Sequence, residues 1–381
     1  MTGAWEPLSG PSHQLALEIL LDGPLSRAEL ARRVRLSAGS LTRLTKPMLE
    51  SGLLVEVSAG PSDPRVGRPS QPLDIVATAH HFVGIKLTGD DAVGVLTTLR
   101  AEVIATGERQ LTDHTPETVA ATVAELARSL AAEVPDSGGI TGIGVTLGGG
   151  VVDKTEVRWG SFLGWTDVPL GELVTDLTKV PVVVANDITA LTESTHWFGA
   201  GRGVGRFCLV TIGAGIGYGL VVHDQTVDSE DASLGLIGHH PLVPDGPRCD
   251  RGHHGCASAL LTTEAVVTQV SAALGRSVSY EEALELAAAG DPAARQVIGT
   301  AGYALGRLIA AAANFTMPER VIIGGEGVRL AEVAHGEVLD GLHVDRHPAV
   351  PDPPIVLLAP DFTEWARGAA VIAIQTFVLG S

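Results

Sequence analysis

The sequence predicts a mixed α/β chain in two parts: a small helical head over residues 1–76 and a larger, two-lobed α/β body over residues 77–381. Two observations carry this. The first is charge: the chain has a net charge of −18, yet residues 1–70 hold eight basic against seven acidic side chains and the rest hold eighteen against thirty-seven. The second is hydrophobic period. Helical spacing with short, well-capped segments fills the first part, and apolar strands alternating with amphipathic helices fill the second, twice over.

In the head, "SHQLALEILLDG" places Leu15, Ile19 and Leu20 on one helical stripe and ends at Gly23. "SRAELARRV" follows with Ser26 and Glu29 in a Ser-x-x-Glu capping box, and Ala28, Leu30, Ala31 and Val34 are expected to turn inward. A third helix starts after Ser37 as N-cap, carries Leu41, Leu44 and Met48 inward, and ends at Gly52. Pro47 predicts a kink or break in its last part. Two short helices meeting through "RL" match helix-turn-helix geometry, with Ser37, Gly39, Ser40, Thr42 and Arg43 toward a DNA major groove. "LLVEV … RVGRPSQPLDIV" reads as a two-stranded wing whose Arg65 and Arg68 suit a narrow minor groove. A plain packing module with a Gly-Pro linker is the alternative. Double-stranded DNA fits the near-neutral head better, because a phosphate backbone senses local charge over a Debye length of roughly 8–10 Å.

In the body, "HFVGIKLTGDDAVGVLTTLRAEVIATGE" reads as consecutive antiparallel strands and "PETVAATVAELARSLAAEV" as an amphipathic helix. "ITGIGVTLGGG" and "VPVVVAND" read as buried strands, the second tipped by Asn186 and Asp187. The second series runs through "RFCLVTIGAGIGYGLVV", the long helix "PAARQVIGTAGYALGRLIAAAANF", the strand "RVIIGG" and the last helix "FTEWARGAAVIAIQTFV". Hydrophobic content of 45% is enough for a sizeable core. No apolar run reaches the roughly 18 residues that a membrane helix needs, the N-terminus has no secretory pattern, and three cysteines are too few for a disulfide framework. The expectation is a soluble cytoplasmic protein.

The head with its Arg-Gly-Pro wing, "VVVANDITALTESTHWFGAGRG", "VTIGAGIGYGLVV" and "GLIGHH … CDRGHHGC", in that order, resemble the ROK family of repressors and sugar kinases, specifically its winged helix-turn-helix regulators. The resemblance implies a ribonuclease-H/actin/hexokinase-like body, a homodimer or tetramer, and a sugar or sugar-phosphate ligand. It also places Asp187 where family kinases keep their general base. The first phosphate loop departs from the kinase pattern: "GIKLTGD" has Lys86 in place of an acidic residue and Thr88 in place of a glycine. ATP and phosphotransfer are therefore not expected, and Asn186, Asp187 and His239 read as effector ligands. A sugar kinase with an accessory DNA-binding head is the rival reading, and a constitutive regulator whose ligand site is vestigial is a third.

The family's sugar-binding pattern is altered as well, with Leu236, Ser258 and Phe162 standing where acidic or amide side chains are usual. Arg251, His253 and His254 add donors that suit an anionic sugar. The resemblance further implies a structural zinc on a Gly-His histidine and three cysteines. Here His239, Cys249 and Cys256 are present, while Arg251 replaces the middle cysteine. Zinc in a closed site takes four N or S ligands. Either His253 or His254 supplies the fourth, or the loop is metal-free. The expected protein is a regulator that reads a pseudo-palindromic operator, and the family resemblance implies a repressor.

Overall fold

A computed structural model describes residues 6–58, 71–135, 139–229, 231 and 234–380. The chain divides into two units, Met1–Ala190 with Trp365–Ser381, and Leu191–Glu364.

The first unit opens with helices α1 (Gly10–Asp22), α2 (Arg27–Arg33) and α3 (Ala38–Glu50). Both caps read from the sequence form: the Ser26 hydroxyl accepts from Glu29 N and the Ser37 hydroxyl from Ser40 N. Leu15, Ile19, Leu20, Leu30, Leu41 and Met48 make the small core where the three helices meet. Two expectations are corrected. Ala28 is exposed rather than inward, because α2 is only two turns long and spends its buried face on Leu30. Pro47 does not split α3, which continues to Glu50; a proline so near the C-terminus removes one bond from the last turns and leaves the groove-facing start intact. Strands β1 (Leu54–Glu56) and β2 (Leu73–Ile75) pair antiparallel with Val55 opposite Asp74. Arg65 and Arg68 lie between them, outside the described residues.

Next come β3 (His81–Leu87), β4 (Asp91–Thr98), β5 (Val103–Gln110), α4 (Pro116–Ala131) and β6 (Gly142–Leu147). A three-stranded meander follows, β7 (Gly150–Val152), β8 (Glu156–Gly160) and β9 (Trp165–Val168), then α5 (Leu170–Thr178), β10 (Val182–Asn186) and α6 (Asp187–Phe198). The main sheet has the order β10-β6-β3-β4-β5, with β10 and β6 parallel to β3 and the rest antiparallel. Helix α4 covers one face through Val123, Leu126 and Leu130. The C-terminal helix Thr363–Ile374 covers the other so closely that a Cβ on Gly84 or Gly144 would strike the Ala366 or Ala369 carbonyl. Only glycine permits that approach.

The second unit repeats the plan. Strands β11 (Arg206–Ile212), β12 (Ile216–Val222) and β13 (Gln225–Thr226) form the antiparallel run. Helices α7 (Ala257–Leu261), α8 (Thr263–Leu274), α9 (Tyr280–Ala288) and the 25-residue α10 (Pro292–Thr316) lead to β14 (Arg320–Gly324). Helices α11 (Arg329–Val333) and α12 (His335–Val344), strand β15 (Ile355–Leu357) and helix α13 (Thr363–Ile374) complete the chain. The sheet order β13-β12-β11-β14-β15 mirrors the first sheet strand for strand, parallel pairs included. Apolar and small residues of α10, among them Ile298, Leu305, Leu308 and Ile309, fill the core beneath it. Among the described residues no helix is long and apolar enough to cross a membrane.

Candidate functional site

Three groups of side chains carry the chemistry, and each is built by one unit. The first is the start of α3. Gly39, Thr42 and Arg43 are exposed and Ser40 is half-buried. The hydroxyls are already engaged: Ser37 donates to Ser40 Oγ at 3.0 Å, and Thr42 donates to the Ala38 carbonyl at 2.9 Å. Arg43 forms no ion pair among the described residues, nor does Arg35 in the turn before α3. Among the described residues the other arginines of the head are paired: Arg33 joins Glu18, Asp22 and Glu29, Arg32 joins Glu29, and Arg27 joins Glu56. Hydrogen bonds from Arg32 and Arg33 hold the Glu29 carboxyl down at about 2. Sequence reasoning missed Arg35, whose signal was its place in the tight turn; its φ of 53° is left-handed.

The second group lies where β10 passes into α6. Asp187 is the first residue of the helix, and Asn186 is its cap: the Asn186 carbonyl oxygen Oδ1 accepts from Ile188 N and Thr189 N, while Nδ2 donates to the Gly149 carbonyl. Asp187 is 8% exposed and Lys86, on β3, is 5% exposed. The Lys86 ammonium donates to Asp187 Oδ2, while Asp187 Oδ1 accepts from Ile188 N at 2.9 Å. Lys86 Nζ also sits 5.2 Å from the centre of the Trp365 ring, a cation–π distance. The substitution of Lys86 was legible in the sequence; its partner was not, since the two residues stand 101 positions apart. Thr88 closes the neighbouring turn on itself, its hydroxyl accepting from Asp90 N and Asp91 N.

Lys86 and Asp187 are each other's buried partner, and removing one member of a buried pair typically costs about 3–5 kcal/mol. The helix start adds its own preference for the anion.

The third group forms on the loop between the 3₁₀ turn Leu236–His239 and α7. Main-chain bridges pair Pro241 with Cys256 and Arg248 with His254, and Cys249 N donates to the His253 carbonyl at 2.9 Å. That folding brings one ligand atom each from His239, Cys249, His253 and Cys256 within 4.8 Å of one another. His239 Nδ1 stands 3.8 Å from Cys249 Sγ and 3.9 Å from Cys256 Sγ, and His253 Nδ1 stands 3.7 Å from Cys249 Sγ. Tetrahedral zinc with Zn–S near 2.3 Å and Zn–N near 2.05 Å has S···N edges of about 3.6 Å, so the donor set fits that ion. His254 turns away, its Nδ1 at 3.3 Å from the Gly246 carbonyl. Burial lowers the pKa of His239, as do Arg251 and His253. At Cys249 burial acts against the thiolate but is outweighed by hydrogen bonds from the His253 backbone, the Cys256 thiol and the Arg251 and Gly252 backbone, and the net shift is downward. Burial raises Cys256. All three cysteines are free.

Of the expected effector ligands, Asn186 and Asp187 belong to the first unit and His239 to the second. His239 is one of the cluster of four, so its Nδ1 faces the thiols.

Known proteins bear on this arrangement. The ROK family model matches residues 82–340. The DNA-binding transcriptional repressor Mlc of Escherichia coli K12 is 25% identical over 340 residues, covering 86% of this chain and 83% of Mlc. The xylose repressor of Bacillus spizizenii is 24% identical over 310 residues, covering 81% of this chain and 80% of its own. Among solved structures, a ROK family transcriptional regulator homologous to the E. coli Mlc protein superposes with a TM-score of 0.82 at 24% identity, over 97% of this chain and 96% of that one. A ROK glucokinase of Streptomyces griseus, solved with glucose and AMPPNP, gives 0.66 at 22% identity, over 77% of this chain and 99% of the kinase. These likenesses establish the duplicated fold.

The buried pair yields a direct expectation. Lys86→Met should lower the unfolding free energy by about 3–5 kcal/mol, and the double variant Lys86→Met/Asp187→Asn should recover most of that loss. Urea unfolding of the two variants beside the native chain measures both; equal stability of Lys86→Met and the native protein would show that the pair contributes nothing.

Proposed function

Because the chain belongs to the ROK family, we propose that it is a DNA-binding transcriptional regulator, acting as a repressor, whose body responds to a sugar or a sugar-derived metabolite. The observation that carries this is coverage. The regulator shares its fold over 97% of this chain, whereas the glucokinase accounts for 77% of it while using 99% of its own length. The printed names of relatives point the same way, Mlc as a DNA-binding repressor and the xylose repressor by its sugar. The Lys86–Asp187 pair supports a sensor rather than a phosphotransferase.

On this reading residues 1–76 are a winged helix-turn-helix domain and residues 77–381 an effector-binding and dimerising body. In a homodimer two copies of α3 would enter successive major grooves of a pseudo-palindromic operator. Arg43 would reach base edges, with Gly39, Ser40 and Thr42 forming the close-packed surface and Ser37 holding the helix start. Arg65 and Arg68 would serve the minor groove, and Arg35 a phosphate. One zinc ion would sit on His239, Cys249, His253 and Cys256, bracing the loop that leads into α7. The Asp187 region would receive the effector.

A route from body to head exists within the first unit. Arg100, in the turn between β4 and β5, donates to Asp74 Oδ1 of β2 at 2.5 Å and to the Ile19 carbonyl of α1 at 3.3 Å. At the far end of α1's neighbourhood, Leu8 N donates to the Val378 carbonyl at 2.9 Å, and His13 Nδ1 lies 2.6 Å from the Leu379 carbonyl. These contacts would link the main sheet and the C-terminal helix to α1 and the wing strands. Effector binding that favours one arrangement changes operator affinity by its differential affinity for the two.

Three outcomes test this. Selection of operator fragments followed by fluorescence anisotropy at several salt concentrations should find sequence-specific binding, with Arg43→Ala losing about 1–3 kcal/mol and relaxing base preference. A chain that prefers no promoter fragment, or that consumes ATP in the presence of a sugar, ends the proposal. Arg100→Ala should keep operator binding but blunt its release by whichever sugar or sugar phosphate raises the melting temperature of the native protein. Full release by that ligand would remove Arg100 from the route. Elemental analysis should find one zinc per chain, lost in His253→Ala and retained in His254→Ala; metal retained equally in both variants would exclude His253 as a ligand.

A further inference from the structure

The cluster of His239, Cys249, His253 and Cys256 draws three segments of the second unit to one point. His239 ends the 3₁₀ turn Leu236–His239, Cys249 and His253 lie on the loop that follows, and Cys256 stands at the N-cap of α7. The main chain folds that loop back on itself: Gly252 N donates to the Cys249 carbonyl at 2.9 Å and Gly255 N to the Pro247 carbonyl at 2.8 Å. The two thiols differ in access, since Cys249 is partly exposed and Cys256 is buried. Their Sγ atoms lie within 4.8 Å of each other. Less than about 3 Å of movement therefore separates them from a disulfide. The remaining cysteine, Cys208, is fully buried on β11, and burial pushes its thiol up to about 12.

This donor set has the chemistry of a redox-sensitive pair. A thiol that ligates zinc is deprotonated outright, and the thiolate is the form that attacks an oxidant. An accessible cysteine beside a second one that can resolve it is the arrangement that oxidises reversibly. The make-up of the cluster adds a consequence. With two imidazoles and two thiols, one disulfide removes both sulfur ligands at once. Two imidazoles remain, half of what a closed zinc site takes.

We propose that Cys249 and Cys256 are a peroxide-oxidised pair whose disulfide releases the zinc ion. The Cys249 thiolate attacks hydrogen peroxide, breaks its O–O bond and becomes a sulfenic acid, and the departing hydroxide takes up a proton to give water. The Cys256 thiolate then displaces hydroxide from the Cys249 sulfur, the S–S bond forms, and a second proton gives a second water. Two electrons pass from the sulfurs to the peroxide. His239 and His253, left as the sole ligands, let the ion go. The disulfide keeps the loop tied to the start of α7, while the 3₁₀ turn loses its tie through His239. The inference rests on the zinc assignment and goes beyond the regulator reading, which needs no oxidation.

Metal analysis and peptide mapping of the full chain test it. The reduced chain is loaded with zinc, freed of excess metal and treated with hydrogen peroxide. Trypsin cuts after Arg251, so Cys249 and Cys256 leave on separate peptides unless a disulfide joins them. The expected result is a joined pair about 2 Da lighter than the two peptides together, with zinc passing to a chromogenic chelator in step with its formation. Dithiothreitol should restore both thiols and, with added zinc, the metal. Zinc content before peroxide tests the assignment on its own: a reduced chain that takes up no zinc ends the assignment and this inference with it. A zinc-loaded chain whose thiols and metal both survive peroxide overturns the inference alone. So does oxidation of the two cysteines to separate sulfinic acids, a joined pair that retains its zinc, or a cross-link to the Cys208 peptide instead.

Discussion

One buried ion pair constrains most of what this body can do. Lys86 and Asp187 occupy the tips of β3 and β10, strands on either side of β6 in the same sheet, and both are almost wholly withdrawn from water. Two isolated charges could not remain there, because desolvation would neutralise them. Together they are a stable dipole, wedged between the start of α6 and the Trp365 ring. The pair fixes both side chains at nearby strand tips of the sheet. In the second unit one main-chain N–H, that of Ala214, donates to Glu326 Oε1 at 2.6 Å at the turn between β11 and β12.

The fold was largely legible because its signals are local. Ser26, Ser37 and the periodic leucines of the head state their helices within a few residues, and the apolar runs at β3, β6, β10, β11 and β14 state their strands. The two misreadings, Ala28 and Pro47, came from judging a residue by its neighbours in sequence when the depth of packing decided the matter. The site was legible only in its residue types. Lys86 stood out as a substitution, but nothing in "GIKLTGD" says that its partner lies 101 residues away. Asn186 also caps the α6 start, a role that depends on the Gly149 carbonyl and the Ile188 and Thr189 N–H groups. The choice between His253 and His254 depended on a tight turn in which adjacent side chains point in opposite directions, and only His253 meets the thiols.

These commitments narrow what an effector can gain in the first unit. A sugar hydroxyl approaching Asp187 finds Oδ2 engaged by Lys86 and Oδ1 accepting from Ile188 N. Each oxygen keeps a lone-pair site, so a donor that fits beside the existing partner can still bond there. Phe162 is 49% exposed, and Gly148 lies between its ring and the Asp187 carboxylate. An aromatic face beside a half-satisfied carboxylate selects ligands by their apolar side and orients them by one polar contact.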